Sequence, residues 1–329
     1  MSRPEPAIPS RDGSYRIVLA LTDATPSAEA AVDVAAELAG RAGATLHVAA
    51  AVQPDEAKVD LGGLTEMTQP GTREFATHLQ GHVEALSAGA GERWGCAVEA
   101  TVLTADDPAD GLTEYQRRVG VDLTVVGVPL PRDGAGDRVD FTRQLAYDVE
   151  GRLPSPLLLL PGTDAESDGE RPRPLSVGRP VVAILGPYDT TAEAGLPAQA
   201  AAFATAVGSD LILIDSVPSG RLLEQDRVDP ALVHPEESPA ETRERLRATA
   251  GALQHPGLKV EHEMVEGPDA HETLVRFLRE RRAGTLALGP EGGAMIERLL
   301  LEQGLRGQEG SVAIEERFAV LVCPAEPNA

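Results

Sequence analysis

Residues 285–293 read TLALGPEGG, an apolar run followed by a turn that holds three glycines and a proline. Glycine-rich turns after buried strands are places where α/β proteins bind anions, because bare backbone N–H groups can approach an oxyanion there. A tight turn that only ends a strand has the same residues, so the motif leaves both interpretations open. If the turn holds phosphates, Gly289, Gly292 and Gly293 are its binding residues.

A second spacing could bind metal. His78 and His82 stand four residues apart, with Glu74 one turn earlier, which could place three ligands on one helix face. The neighbouring positions are apolar and no third histidine is near, so a solvated face is the better interpretation and no metal site is predicted. The sequence holds no G-x-S-x-G elbow, Walker lysine motif or G-x-G-x-x-G turn after a strand. We therefore expect no catalytic centre and no enzymatic activity.

The charge and composition of the chain limit the classes of partner that it can bind. The 329 residues carry a formal net charge of −23, which excludes a nucleic-acid backbone as partner because phosphate contacts need a positive face. No apolar stretch approaches the ~20 residues of a membrane span, and the N-terminus lacks the apolar core of a signal peptide. The two cysteines, Cys96 and Cys323, suit a reducing compartment. The sequence therefore predicts a cytoplasmic protein without a nucleic-acid or membrane partner.

Five segments of the first half recur in the second half, in the same order. They are residues 16–30 with 180–194, 44–52 with 209–217, 97–112 with 259–274, 123–127 with 285–289, and 155–161 with 318–324. The offsets between them are 164, 165, 162, 162 and 163 residues. Matched segments at a nearly constant offset indicate an internal duplication.

Each half alternates short apolar, β-branched runs with amphipathic stretches rich in alanine and leucine. One such stretch opens at a Ser/Thr cap position and ends at Gly43, and another begins at Pro108 and stops at Gly120, as helices do. Apolar strands separated by helices indicate a parallel sheet covered on both faces. The sequence therefore predicts an α/β fold of two tandem five-stranded parallel sheets, each in the order β-α-β-α-β-α-β-α-β.

The domain boundaries follow from the duplication. Residues 1–14 are predicted to be a disordered tail, 15–162 the first domain and 179–325 the second. Residues 163–178 are polar and contain prolines, which is typical of a linker.

This pattern resembles the universal stress protein family in its tandem form, over both predicted domains. The resemblance rests on the strand-turn-Ser/Thr-helix opening of each half, on its middle segment, and on the closing apolar strand that ends in Pro161 or Pro324. It implies Rossmann-like, adenine-nucleotide α-hydrolase-like domains that form an internal pseudo-dimer. Many members bind ATP through a glycine, two residues, a glycine, nine residues, and a glycine followed by Ser or Thr. An acidic residue after the first strand and an apolar residue after the second complete that site.

The second half keeps part of the glycine pattern that the resemblance implies. Gly289 and Gly292 supply the first two glycines, and Gly310-Ser311 supplies the later pair. Seventeen residues instead of nine separate Gly292 from Gly310, so the loop is lengthened. Glu291 also adds a negative charge within the cradle, which counts against phosphate unless the side chain points outward.

The remaining positions of the implied site follow the strands. Gly186 or Asp189 stands near the acidic position after the first strand of the second half, and Val217 stands at the apolar position after its second strand. In the first half, Asp23 stands near the acidic position and Gly127 supplies the first glycine.

The first half departs further from the pattern. Gly127 is followed by Val128, Pro129 and Leu130, so the second glycine is missing. Leu130 places a side chain where a phosphate would approach, and Pro129 removes a donor N–H. The first half is therefore predicted to be a degenerate nucleotide site.

Two functions remain open. The first is a stress-response protein whose second half binds or senses ATP or another adenine nucleotide without catalysis. The alternative is a tandem stress protein that binds no nucleotide and acts through an unknown protein partner. Either could form a further homodimer.

Overall fold

The computed structural model describes residues 15–52, 72–128, 154–161, 178–185, 195–218, 238–267, 270–289 and 318–324. These residues fall into two compact units, the first within residues 15–161 and the second within 178–324. The predicted tail and most of the predicted linker lie outside the described residues, and the proposed domain boundaries stay predictions. No helix in the described part is long and apolar enough to cross a membrane.

The first unit is a parallel sheet with helices between successive strands. Its elements are β1 (Ile17–Leu21), α1 (Pro26–Ala42), β2 (Thr45–Val52), α2 (Thr72–Trp94), β3 (Ala97–Thr104), α3 (Pro108–Val119), β4 (Leu123–Val128) and β5 (Leu157–Pro161). The strand order is β3-β2-β1-β4-β5, and each neighbouring pair is parallel. The chain therefore reverses its direction of winding between β1 and β4.

The second unit repeats this arrangement. Its elements are β6 (Val181–Ile184), α4 (Leu196–Val207), β7 (Leu211–Pro218), α5 (Pro239–Leu253), β8 (Val260–Gly267), α6 (Ala270–Glu280), β9 (Thr285–Leu288) and β10 (Ala319–Val322). The strand order β8-β7-β6-β9-β10 is again fully parallel. The prediction of two tandem α/β sheets is confirmed. The fourth helix of each half falls outside the described residues, and the internal pseudo-dimer stays a prediction.

Local chemistry sets the helix boundaries. The Thr25 side chain accepts a hydrogen bond from the Ala28 N–H at the start of α1, and Gly43 ends that helix with a left-handed φ of 67°. The Asp107 carboxylate caps α3 in the same way, and Gly120 ends α3 with a φ of 79°. These are the boundaries that the sequence predicts, because capping oxygens satisfy the first N–H groups and glycine tolerates a positive φ.

The strand registers show which residues of the two units are equivalent. Residues that pair between neighbouring strands of the first unit correspond to residues that pair in the second unit when the second to fifth repeated segments are offset by 165, 162, 162 and 163 positions. Those four alignments are therefore confirmed. The matching pairs are Leu46↔Val98 with Leu211↔Val260, Val18↔Leu123 with Val181↔Thr285, and Thr124↔Leu157 with Leu286↔Val320.

The first alignment is off by one residue. Val18 pairs with Leu46 as Val181 pairs with Leu211, so β1 and β6 are related by 163 positions instead of 164. The offset of 164 depends on a shared Ala-Glu-Ala, which lies inside α1 in the first unit but before the start of α4 at Leu196 in the second. The additional residues of the second unit therefore fall between β6 and α4.

The two cores differ in polarity at equivalent positions. In the first unit, Gln116 Nε2 donates to Thr124 Oγ1 at 2.8 Å, and Ser155 Oγ lies 3.4 Å from the same hydroxyl. All three side chains are buried. The equivalent residues of the second unit are also buried but apolar: Leu278, Leu286 and Phe318.

Helices α1 and α2 pack closely against each other at the C-terminal end of α2. The indole Nε1 of Trp94 donates to Asp33 Oδ1 at 3.1 Å. A Cβ at Gly40 would lie 2.4 Å from the Trp94 carbonyl oxygen, so only glycine fits there. This contact fixes the only tryptophan of the chain against α1.

Candidate functional site

In open parallel sheets of this kind, ligands bind outside the carboxyl ends of the two strands between which the winding reverses. In the first unit these strands are β1 and β4, and the chain leaves them at Thr22 and Gly127–Val128. In the second unit they are β6 and β9, and the chain leaves them at Leu185 and Gly289. The Thr22 N–H donates to the carbonyl of Ala49 as the Leu185 N–H donates to that of Ile214, which confirms that these exits are equivalent.

Asp23 organises the turn from β1 into α1. Its Oδ1 accepts hydrogen bonds from the Thr25 N–H at 3.0 Å and from the Thr25 hydroxyl at 2.6 Å. Thr22 Oγ1 accepts from the N–H of Ala24, a residue that has a positive φ of 62°. One oxygen of the predicted acidic residue is therefore engaged in shaping the turn that presents the capping residue Thr25.

Gly127 lies directly beneath the first turn of α1. A Cβ at this position would lie 2.1 Å from the carbonyl oxygen of Ser27 and 3.0 Å from the backbone nitrogen of Ala28. Real Cβ atoms do not approach backbone atoms so closely. Gly127 is thus required for the packing of α1 on β4.

Gly289 is the equivalent position of the second unit. A Cβ there would meet no described atom within 4 Å. Helix α4 has 12 residues where α1 has 17, and its first described turn starts at Gly195, which has a φ of 78° and makes no side-chain cap. The residues that correspond to Ser27 and Ala28 lie outside the described part of the second unit.

The structure places four of the ten predicted site residues. Asp23 and Gly127 come together around the N-terminus of α1, while Gly289 follows β9 and Val217 lies near the end of β7, where it pairs with Glu266. Strands β7 and β9 both flank β6. The other six predicted residues lie outside the described residues: Gly186, Asp189, Gly292, Gly293, Gly310 and Ser311.

Asp215 is a residue near this edge that the sequence reasoning missed. It is 2% exposed in β7, and its Oδ2 lies 2.5 Å from an Arg245 guanidinium nitrogen on α5. The equivalent position in the first unit is Ala50. The available signal was the acidic residue inside the apolar run LILIDSV, because a carboxylate in a buried strand needs a cationic or hydrogen-bonding partner.

A second missed cluster joins β2, β3 and α3 of the first unit. His47 Nδ1 lies 2.8 Å from the Tyr115 hydroxyl, and His47 Nε2 lies 3.7 Å from Glu99 Oε2. Burial lowers the pKa of His47, and the nearby Glu99 carboxylate opposes that shift. Burial also raises the pKa of Tyr115, whose ring centroid lies 5.2 Å from the Arg118 guanidinium carbon. At the equivalent positions the second unit has Ile212 and Phe277 in place of His47 and Tyr115.

The histidine spacing on α2 does not assemble a metal site in the described residues. His82 Nε2 lies 4.0 Å from Glu29 Oε1. No group of three or more His, Cys, Asp or Glu side chains in the described part is arranged to hold a metal ion.

Comparison with known proteins relates part of the chain to a protein family. Residues 14–130 match the model of the universal stress protein family. No curated protein of similar sequence was found. Among solved structures, a universal stress protein from Archaeoglobus fulgidus DSM 4304 superposes with a TM-score of 0.56 and 13% identity, over 94% of this chain and 98% of that one. That likeness extends the shared fold over both units.

Two further similar structures each align with roughly half of the chain. A universal stress protein in complex with cAMP is 22% identical over 46% of this chain and 99% of its own, with a TM-score of 0.31. A member of the family from Burkholderia pseudomallei is 25% identical over 45% and 98%, with a TM-score of 0.30. The family match and the fold agree that residues 14–130 form a domain of the universal stress protein family.

Proposed function

We propose that the chain is a cytoplasmic, tandem stress-response protein that binds an adenine nucleotide in its second unit, without catalysis. The observation that carries this proposal is the difference between the segments that follow the equivalent glycines. Gly292 and Gly293 follow Gly289, whereas Pro129 and Leu130 follow Gly127. The proposed ligand is ATP or another adenine nucleotide, at the carboxyl ends of β6 and β9.

Glycine chemistry supports placing the phosphates in the second unit. The segment after β9 continues as Pro290-Glu291-Gly292-Gly293, and two further glycines without side chains let backbone N–H groups converge on an oxyanion. The corresponding segment of the first unit continues as Val128-Pro129-Leu130. The first unit then serves as a structural and interaction domain.

The absence of catalysis is proposed from the sequence, which holds no G-x-S-x-G elbow, Walker lysine motif or G-x-G-x-x-G turn after a strand. A bound nucleotide would then report on cell state through its occupancy instead of being turned over.

Calorimetric titration of ATP, ADP and cyclic AMP into the full chain tests the proposal. Gly292→Val should weaken binding at least tenfold, because losing one charge-assisted hydrogen bond costs about 1.5–3 kcal/mol. The matched control is Leu130→Val at the equivalent position of the first unit, which should bind as the wild type does. An equal loss in both variants, or no binding by the wild type at millimolar nucleotide, would leave the interaction protein as the better interpretation.

A further inference from the structure

The two outer strands β3 and β8 occupy equivalent places in their sheets. Each is the last strand on its side, and within the described residues no strand pairs with its outer edge. Such an edge presents unpaired backbone N–H and C=O groups, which can pair with another chain unless charges or a cover prevent it. The two edges differ in how they are protected.

Charges protect the β8 edge. The Lys259 ammonium lies 2.5 Å from Glu261 Oε1 and 3.9 Å from Asp210 Oδ2. Arg281 lies 3.6 Å from Glu261 Oε2 and also forms an ion pair with Glu263. We call Lys259, Glu261, Glu263 and Arg281 the charged ladder. A strand that paired with β8 would have to pack against this ladder, which disfavours association.

The β3 edge has almost none of this protection. The positions equivalent to the charged ladder are Ala97, Glu99, Thr101 and Val119, so only one charge remains. None of the eight residues of β3 is buried, including Val98, Val102 and Leu103. The chain carries a net charge of −23, which disfavours association of its copies, and β3 is a stretch of weakly charged strand edge.

We propose that β3 pairs antiparallel with β3 of a second copy of this chain. A two-fold arrangement that places Ala100 opposite Ala100 brings Val98 opposite Val102 and Glu99 opposite Thr101. The only charged side chain of the strand then avoids its own copy, and apolar pairs form on the other face. The symmetric pair is closed, as most homodimers are.

The charged ladder makes the other homotypic pairing unfavourable. Pairing of β3 with β8 of a second copy would be head-to-tail and would lead to rings or open filaments instead of a closed pair. It would also place Val98 and Val102 beside the charged ladder. The proposed dimer stands apart from nucleotide binding, because β3 belongs to the first unit and contributes no residue to the second.

Sedimentation velocity of the full chain over a range of concentrations tests the proposal. We expect a monomer–dimer equilibrium in the wild type. Ala97→Lys/Thr101→Glu/Val119→Arg installs the charged ladder on the β3 edge and should raise the dimer Kd at least tenfold. The conservative control Ala97→Ser/Thr101→Ser/Val119→Ile should dimerise as the wild type does, and circular dichroism checks that both variants fold. A wild type that stays monomeric at several hundred micromolar, or that grows beyond a dimer, would overturn the proposal.

Disulfide trapping tests the register independently. Antiparallel partners have Cα atoms about 4.5–5.5 Å apart, within the range that a disulfide bridges. In a Cys96→Ser background, Ala100→Cys should therefore form a covalent dimer under mild oxidation. Thr101→Cys in the same background should form little, because its copy is not directly opposite. A dimer in solution that neither variant traps, or that both trap equally, would show that β3 is not paired in this way.

Discussion

The first unit has Tyr115 and Gln116 between α3 and the sheet. The second unit has Phe277 and Leu278 at the equivalent positions of α6. The residues that contact these side chains also differ between the units. His47 and Tyr115 correspond to Ile212 and Phe277, and the polar chain of Gln116, Thr124 and Ser155 corresponds to three apolar residues. Strand order, register and burial are shared. A buried polar group needs its partner, so a polar core position can become apolar only together with the residue that it contacts.

Gly127 and Gly289 stand at equivalent positions near the ends of β4 and β9. The packing of α1 on β4 is a sufficient reason for the glycine at position 127. The comparison of the two units can be tested by moving the residues of one into the other.

We expect the largest loss of stability when the buried ion pair between Asp215 and Arg245 is broken. Arg245→Ala should destabilise the protein by about 3–5 kcal/mol, because it leaves the Asp215 carboxylate in the protein interior without its guanidinium. Urea unfolding followed by circular dichroism measures the loss. Asp215→Ala/Arg245→Leu introduces the alanine that the first unit has at the equivalent position, Ala50, and should recover much of it. A double variant no more stable than Arg245→Ala would contradict this account.

The next largest effect is the difference in stability between alanine variants of the equivalent glycines Gly127 and Gly289. Gly127→Ala should cost about 1–3 kcal/mol, because the added Cβ forces α1 away from β4. Gly289→Ala should change stability by no more than about 0.5 kcal/mol. Thermal and urea unfolding of the two variants compare them directly. Equal losses would mean that Gly289 is as tightly packed as Gly127.

A smaller effect tests the polar chain. Gln116→Leu copies the second unit and should cost about 1 kcal/mol, because Thr124 loses its donor while the Gln116 Oε1, which has no partner among the described residues, is removed as well. Adding Thr124→Val should recover part of the loss. A double-mutant cycle by urea unfolding measures the coupling. Strictly additive losses would show that the two side chains do not act as a pair.

The smallest effect is a change in pH dependence. Burial lowers the pKa of His47 in the folded protein, so the unfolded chain binds its proton more readily and stability falls as the pH falls through the ordinary histidine range. His47→Ile/Tyr115→Phe copies Ile212 and Phe277 and should reduce that slope between pH 7.5 and 5. Tyr115→Phe alone keeps the histidine and should keep the slope. An unchanged slope in the double variant would exclude His47 as its source.

The fold could be predicted from the sequence because its determinants are local and repeated. Apolar runs, capping residues such as Thr25 and Asp107, and the terminal glycines Gly43 and Gly120 each specify one boundary. The duplication then gives the strand alignment, except in the first segment. There, the alignment followed a shared Ala-Glu-Ala, whereas the strand registers relate β1 and β6 by 163 positions.

The site could be predicted only in part, because it depends on where elements cross. Gly127 matches a phosphate-binding pattern in sequence, but the path of α1 over β4 determines what the glycine is for. The pairs His47–Tyr115 and Asp215–Arg245 join residues 68 and 30 positions apart in sequence. No spacing rule connects such residues, although a polar residue inside an apolar strand is a sign that a partner exists.

The contact of Trp94 with α1 has a practical consequence. This indole is the only one in the chain, and it belongs to the first unit. Its fluorescence should therefore report the unfolding of that unit alone, while circular dichroism reports both. If the two signals change at different urea concentrations, the units unfold independently. If the two transitions coincide in the wild type but separate in Arg245→Ala, the units unfold together in the wild type and the substitution has made the second unit the less stable one. Trp94 fluorescence then distinguishes the unfolding of the two units without an added label.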